Sequence, residues 1–207
     1  MGGVVRALLV ALGAGASACS FADRDAADPT YTPLWLLSDG KSYLGVTRGE
    51  ELVAVDVERG RRWTFALPAD TDAFYGQRQH VVCTPFSLGD SLVVRSEVEL
   101  MILSEASGRL KYRARAERES RFGAKSCPTP AGDSAFLVTT DGGRRLVKAR
   151  PDGTEVWAVR LPDGAFAIGP ARATGNGDVV VRAGDRLIVW SGDGQQKWSR
   201  KLSDYEE

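Results

Sequence analysis

The stretch RLIVWSGDGQQKWSRKL (residues 186–202) nearly repeats RLVKARPDGTEVWAVRL (residues 145–161). In each, a short apolar run meets a Gly-bearing turn, and a Trp follows the turn glycine by four residues, Gly153 to Trp157 and Gly194 to Trp198. Such runs lack the 3.6-residue period of an amphipathic helix and are the length of short β-strands. Gly and Asp in the turns tolerate the positive φ that tight hairpins demand.

Working outward, four units align, over residues 32–67, 84–116, 129–161 and 169–202. Each reads as Pro, a Gly/Asp turn, an apolar strand, a turn, a second apolar strand, a Gly turn and an aromatic strand. The anchoring prolines are Pro33, Pro85, Pro130 and Pro170, and the closing aromatics are Trp63, Tyr112, Trp157 and Trp198, spaced 49, 45 and 41 residues apart. A period near 40 to 45 residues suits four-stranded propeller blades. The strands SLVVR, AFLVTT, DVVVR and RLIVW are rich in β-branched residues and short enough to cross one blade. One blade cannot bury both its faces, whereas stacked blades can, and each recurring Trp or Tyr offers about 150 to 250 Å² of burial at the joint. The expectation is an all-β protein, a β-propeller with four blades visible.

The segments AVDVERGRRW (54–63), ARPDGTEVW (149–157) and WSGDGQQKW (190–198) carry a family resemblance. They are similar to the A-x-D-x-x-x-G-x-x-x-W tryptophan-docking repeat of pyrroloquinoline-quinone-like β-propellers, which include quinoprotein dehydrogenases and BamB-type outer-membrane assembly lipoproteins. The resemblance covers roughly residues 31–202, with Trp63 one residue early after Gly60 and Tyr112 in place of a Trp. It implies that Trp63, Tyr112, Trp157 and Trp198 are structural docking residues between blades. Propellers have about four to eight blades, so four units make a small closed ring or an open arc. An open arc exposes two apolar faces that seek a partner. A two-fold homodimer completing an eight-blade ring is the corresponding arrangement.

The amino-terminal part is different in kind. MGGVVR carries one Arg, and ALLVALGAGASA is a 12-residue apolar run ending in small residues. That is a secretory signal (residues 1–18), too short for a bilayer that needs about 20 residues. Cleavage is expected after Ala18, where ASAC resembles the lipobox of bacterial lipoproteins, with Ala16 at the usual Leu position. By that resemblance Cys19 becomes the lipid-modified first residue; the other reading is ordinary secretion. Ser20, by resemblance to Gram-negative lipoproteins, points to the outer membrane, facing the periplasm. Residues 19–30 form the lipidated start and tether, and residues 31–207 the propeller domain.

With Cys19 assigned to lipid, Cys83 and Cys127 form an even pair in an oxidising compartment. Both lie just before the inner strands of adjacent units, and a disulfide between them is expected, against two buried free thiols. A Cα separation above about 7 Å would exclude the bridge. The sequence contains no CxxC, His cluster or metal-ligand spacing, so neither metal nor cofactor is expected. The 27 basic and 27 acidic residues cancel, which argues against a nucleic-acid partner.

Longer crossings between units should project from one face. The first, 22 residues from Trp63 to Pro85, offers Phe74, Tyr75, Arg78 and His80; the second, 18 residues from Tyr112 to Pro130, offers Arg118, Arg121 and Phe122. Aromatic and Arg residues on loops are the types enriched in binding hot spots, which makes Phe74, Tyr75, Arg78, Arg118, Arg121 and Phe122 candidate partner-binding residues. His80, the only histidine, has no nucleophile motif beside it and reads as structural or solvated. The basic run RLKYRARAERESRFGAK (109–125) reads as a solvated outer strand, with Arg113 and Arg115 on one face and Tyr112 and Ala114 on the other. Glycine pairs such as GDG lack the helix or Lys-Ser/Thr of a phosphate cradle and the acidic spacing of an EF-hand.

The functional expectation is a non-enzymatic cell-envelope lipoprotein that binds an envelope protein as a scaffold, held to the membrane by its lipid. The alternatives are a small quinoprotein-like oxidoreductase remnant and a carbohydrate- or peptide-binding propeller. Against the first stands the absence of adjacent cysteines; quinoprotein dehydrogenases, by family knowledge, use a vicinal cysteine pair.

Overall fold

The computed structural model describes residues 35–47, 51–67, 81–96, 99–115, 127–132 and 134–205. Each sequence unit becomes one antiparallel sheet. The first holds β1 (Trp35–Leu36), β2 (Ser42–Val46), β3 (Glu51–Asp56) and β4 (Gly60–Ala66). The second holds β5 (Phe86–Leu88), β6 (Ser91–Arg95), β7 (Glu99–Ser104) and β8 (Leu110–Arg115). The third holds β9 (Thr129–Pro130), β10 (Phe136–Thr140), β11 (Arg145–Ala149) and β12 (Glu155–Arg160), and the fourth β13 (Arg172–Ala173), β14 (Val179–Ala183), β15 (Arg186–Trp190) and β16 (Gln196–Lys201). In every sheet the strands lie in chain order, so each is a meander of hairpins, the construction of a propeller blade. Among the described residues the only helical pieces are short 3-10 turns, including Pro162–Gly164 and Leu202–Tyr205.

The prolines mark the innermost strands as the sequence pattern requires. Pro85 immediately precedes β5, Pro130 lies within the two-residue β9, and Pro170 stands two residues before β13. A strand this short and this far to the edge tolerates a residue that donates no backbone hydrogen bond. The two middle strands of each blade carry the core: β6 is buried throughout, and Leu52, Val53, Ala54, Leu137, Leu146 and Ile188 are inaccessible or nearly so. The fourth strands face solvent, and β8 shows the expected alternation, Tyr112 and Ala114 half-buried against exposed Arg113 and Arg115.

The chain divides into two compact units. One contains the first sheet together with Ala106–Gly108; the other contains the rest of the second sheet and the third and fourth sheets. Within this second unit consecutive blades pack face to face. Val93, Ile102 and Leu100 of the second sheet meet Phe136, Val147 and Ala149 of the third. Leu137 and Leu146 of the third meet Val179, Val181, Ile188 and Trp190 of the fourth. In the third sheet alternation along the strands supplies both faces, one to the second sheet and one to the fourth.

Candidate functional site

The blade joints rest on a repeated local device. In all four sheets the third-to-fourth strand register shifts immediately before the closing aromatic. The residue squeezed out is Arg62, Lys111, Val156 or Lys197, each directly ahead of Trp63, Tyr112, Trp157 or Trp198. A bulge of this kind bends the strand and re-aims the neighbouring side chain. In three blades the bulged residue is basic and reaches the Asp of the first hairpin: Arg62 to Asp39 at 2.5 Å, Lys111 to Asp90 at 2.7 Å, and Lys197 to Asp178 at 2.7 Å. Arg62 also donates to Ser42 Oγ at 2.8 Å, and Lys111 to Ser91 Oγ at 2.9 Å. The third blade breaks the pattern, leaving Val156 exposed at the bulge and pairing Arg145 with Glu155 instead.

The aromatics then cover a glycine in the next hairpin. A Cβ built on Gly108 would stand 2.5 Å from the Trp63 ring, one on Gly194 would stand 2.9 Å from the Trp157 ring, and one on Gly153 would overlap the Tyr112 ring. Trp157 is fixed further by its Nε1–H, which donates to the Gly192 carbonyl at 2.8 Å. Trp63, Tyr112 and Trp157 therefore each lie against the glycine of a following hairpin turn. Trp198 is 38% exposed, with the Arg200 guanidinium 5.7 Å from its ring centroid. Gly60, the first blade's counterpart of the receiving glycines, has nothing within 4 Å of its Cβ position among the described residues.

Cys83 and Cys127 form the disulfide, with Cα atoms 5.4 Å apart, and tie the entry of β5 to that of β9. Next along, the Thr129 hydroxyl donates to the Ala171 carbonyl at 2.6 Å and links the third and fourth blades. The inner ends of three successive blades are therefore stapled.

The third crossing, the shortest, presents side chains the sequence did not single out. Ala167 is buried and paired with Ala183, while Phe166 and Ile168 on either side are 41% and 39% exposed. Their backbone is held on both flanks: Ala167 N–H donates to the Gly143 carbonyl, Ile168 N–H to the Arg182 carbonyl, and Gly184 N–H to the Phe166 carbonyl. Two large apolar side chains are thus presented outward on a fixed frame. The small-large alternation in AFAIG was the available signal. The other proposed partner-binding residues, Phe74, Tyr75, Arg78, Arg118, Arg121 and Phe122, lie outside the described residues, as do His80, Cys19 and the whole signal and tether.

Electrostatically the carboxylates serve turns. Asp39 is drawn down to about 2, first by the Lys41 backbone N–H, then by Ser42 and Arg62, against the opposing effect of burial. Asp56 is lowered by the amides of Arg59 and Glu58, Asp152 by Thr154, Asp90 by Lys111 and Ser91, and Asp193 by the Ser191 hydroxyl. Each shift favours the charged form through hydrogen bonds to a hairpin. Among the described residues no group of three or more His, Cys, Asp or Glu is placed to hold a metal ion, and no helix is long and apolar enough to cross a membrane.

Four-stranded meander blades joined by docked aromatics define a β-propeller of PQQ-like repeats. Residues 48–204 match the family described as outer membrane protein assembly factor BamB, and the chain belongs to that family. Solved structures show the same fold. BamB from Moraxella catarrhalis aligns with a TM-score of 0.62 at 15% identity, covering 84% of this chain and 51% of that one. KlHsv2 with loop 6CD replaced by a Gly-Ser linker aligns at 0.61 with 12% identity, covering 83% and 53%. A protein of unknown function from Bacteroides caccae aligns at 0.50 with 15% identity, covering 88% and 64%. The chain spans about half the length of the first and second of these. Among curated proteins, none matches the sequence.

Proposed function

We propose that this protein is a non-enzymatic cell-envelope lipoprotein whose propeller serves as a protein-binding scaffold. The observation that carries the reading is the family match over residues 48–204. In this reading residues 1–18 direct export, Cys19 receives the lipid, residues 19–30 form the tether, and the blades face the periplasm from the outer membrane. Partner contact falls on the crossings: Phe166 and Ile168 on the third, and Phe74, Tyr75, Arg78, Arg118, Arg121 and Phe122 on the first and second. Phe166 and Ile168, on a fixed backbone frame, lose little freedom on binding, and aromatic and Arg side chains are the usual hot-spot types.

The test is affinity capture from detergent-solubilised envelope, comparing the native chain with a Phe166→Ser/Ile168→Ser variant. A stoichiometric envelope protein retained by the first and lost by the second supports the scaffold; no stoichiometric partner for the native chain counts against it. Labelled palmitate incorporated into the native chain but not into Cys19→Ser tests the anchor. For the absence of enzymatic activity, the expected result is no spectral change and no dye reduction on adding pyrroloquinoline quinone with calcium.

A further inference from the structure

We propose that β12 is a docking edge, and that an extended segment of a protein partner adds beside it as a fifth strand of the third sheet, with an acidic side chain set against Arg160. Each sheet ends on a fourth strand that has a hydrogen-bonded neighbour on one side only. Such an edge pairs readily with another chain unless charge blunts it. In the other sheets basic residues do so. β8 sets Lys111, Arg113 and Arg115 along its edge, β16 sets Lys197 and Lys201, and β4 has Arg62 at its bulge. In β12 the same positions hold Val156, Ala158 and Arg160.

The direction of the main-chain groups follows from the register. Leu161 N–H donates to the Arg144 carbonyl at 2.8 Å, and the same alignment continues along β12, with Arg160 opposite Arg145 and Trp157 opposite Lys148. Antiparallel pairs alternate between hydrogen-bonded and non-bonded. Val159 and Trp157 therefore bond inward to Leu146 and Lys148, whereas Ala158 and Arg160 turn their N–H and C=O groups outward. Among the described residues nothing outside the sheet bonds to those groups. Two donors and two acceptors repeated at a two-residue spacing are the pattern that an extended backbone recognises.

The side chains specify the kind of segment. Trp157 and Val159 lie half-buried against the cluster shared with the fourth sheet, and Ala158 lies half-buried against the cluster shared with the second. Apolar surface thus reaches the edge on both sides of the third sheet, where a strand of β-branched residues would extend it. Along β8 the alternate residues Lys111, Arg113 and Arg115 are exposed, so one side there is charged. Val156, at the β12 bulge, is 41% exposed. At the other end the Arg160 side chain is 79% exposed and 3.4 Å from Asp141. A surface pair of this kind contributes little, so the guanidinium can take a second carboxylate from the added strand. The proposal rests on the protein-binding reading for the nature of the occupant, and it uses a different element from Phe166 and Ile168.

Fluorescence anisotropy of a labelled, end-blocked peptide, Thr-Val-Thr-Val-Glu-Val-Thr, titrated with the full-length chain in non-ionic detergent tests the edge. The same peptide with Lys in place of Glu is its counterpart. The native chain is expected to bind the Glu peptide saturably, about threefold or more tighter than the Lys peptide, and Arg160→Glu should reverse that preference. Ala158→Pro removes an outward N–H and leaves the inward bonds of Trp157 and Val159 in place. It should keep the native circular dichroism and weaken the Glu peptide about tenfold or more. Ala158→Lys, which gives β12 the charge pattern of β8, should weaken it likewise and decides the matter if the proline variant loses its strand signal. No saturable binding by the native chain, an unchanged preference in Arg160→Glu, or undiminished binding in folded Ala158 variants overturns the proposal. No envelope protein enters the titration. Loss of peptide binding beside a retained envelope partner therefore strikes the edge alone, and peptide binding without any envelope partner strikes the scaffold reading alone.

Discussion

Trp63 lies flat over Gly108, with ring atom Cε3 2.5 Å from where a Cβ on that glycine would stand. Gly108 has φ +68° and Gly60 has φ +81°, so alanine strains the backbone at both, by about 1 to 2 kcal/mol. Only at Gly108 does the methyl also drive the ring out of its seat, adding about 1 to 3 kcal/mol of overpacking. Gly108→Ala should therefore lower the urea midpoint clearly more than Gly60→Ala. Equal losses would show that the ring yields freely and that the docked aromatic does not restrain the joint.

Much of this architecture was legible in the residues because it is local. The Gly turns, β-branched runs and prolines each specify their own strand, and the structure puts Pro85, Pro130 and Pro170 at or beside the inner strands. Trp63 comes a residue early after Gly60, yet the bulge still falls on Arg62, because the shortening is taken up where Asp56 pairs directly with Gly60. What could not be read is what depends on contacts between units. Arg62, Lys111 and Lys197 look like ordinary charges on an exposed strand until the bulge turns them toward Asp39, Asp90 and Asp178. Phe166 and Ile168 look like linker until the backbone bonds to Gly143 and Arg182 show them held outward. Loop length pointed to the first two crossings, and the third showed instead that a short crossing can present a surface.

The Cys83–Cys127 bridge closes a sequence separation of 44 residues. In the chain-entropy model a loop of that size restricts the unfolded state by about 4 kcal/mol. The Cys83→Ser/Cys127→Ser variant should lose roughly that much in equilibrium urea unfolding, with native strand content retained under native conditions. A loss below about 1 kcal/mol would mean that the unfolded chain gains nothing from the crosslink or that serine relieves an unfavourable geometry.

Phe136 and Phe166 separate core from surface. Phe136 is 1% exposed, between the second and third blades, whereas Phe166 is 41% exposed. Phe136→Ala should cost about 3 to 5 kcal/mol, and Phe166→Ala within about 0.5 kcal/mol. Thermal or urea unfolding of the pair decides this. A large loss at Phe166 would make it a packing residue and remove it from the partner surface.

Acid should destabilise the protein through its hairpin carboxylates, in a window set by their direction of shift. Asp39 falls from 3.8 to about 2 on folding, and Asp56, Asp90, Asp152 and Asp193 are lowered too. A carboxyl with a depressed folded pKa adds stability above its unfolded pKa, and that contribution drains away as pH falls through the folded value. Stability attributable to Asp39 should therefore be complete above about pH 4 and lost progressively toward pH 2. Its side chain is 36% exposed, so solvent screening holds the effect of Asp39→Asn to about 1 kcal/mol or less at neutral pH. The decisive comparison is the difference in unfolding free energy between native and Asp39→Asn chains, followed from pH 7 to pH 2. It should be constant at the upper end and shrink below about pH 4, where the unfolded chain's carboxylate takes up a proton that the folded one does not accept until about pH 2. A difference that stays constant to pH 2 would place the loss in the asparagine's own turn geometry, leaving the Asp39–Arg62 latch without a role in acid stability.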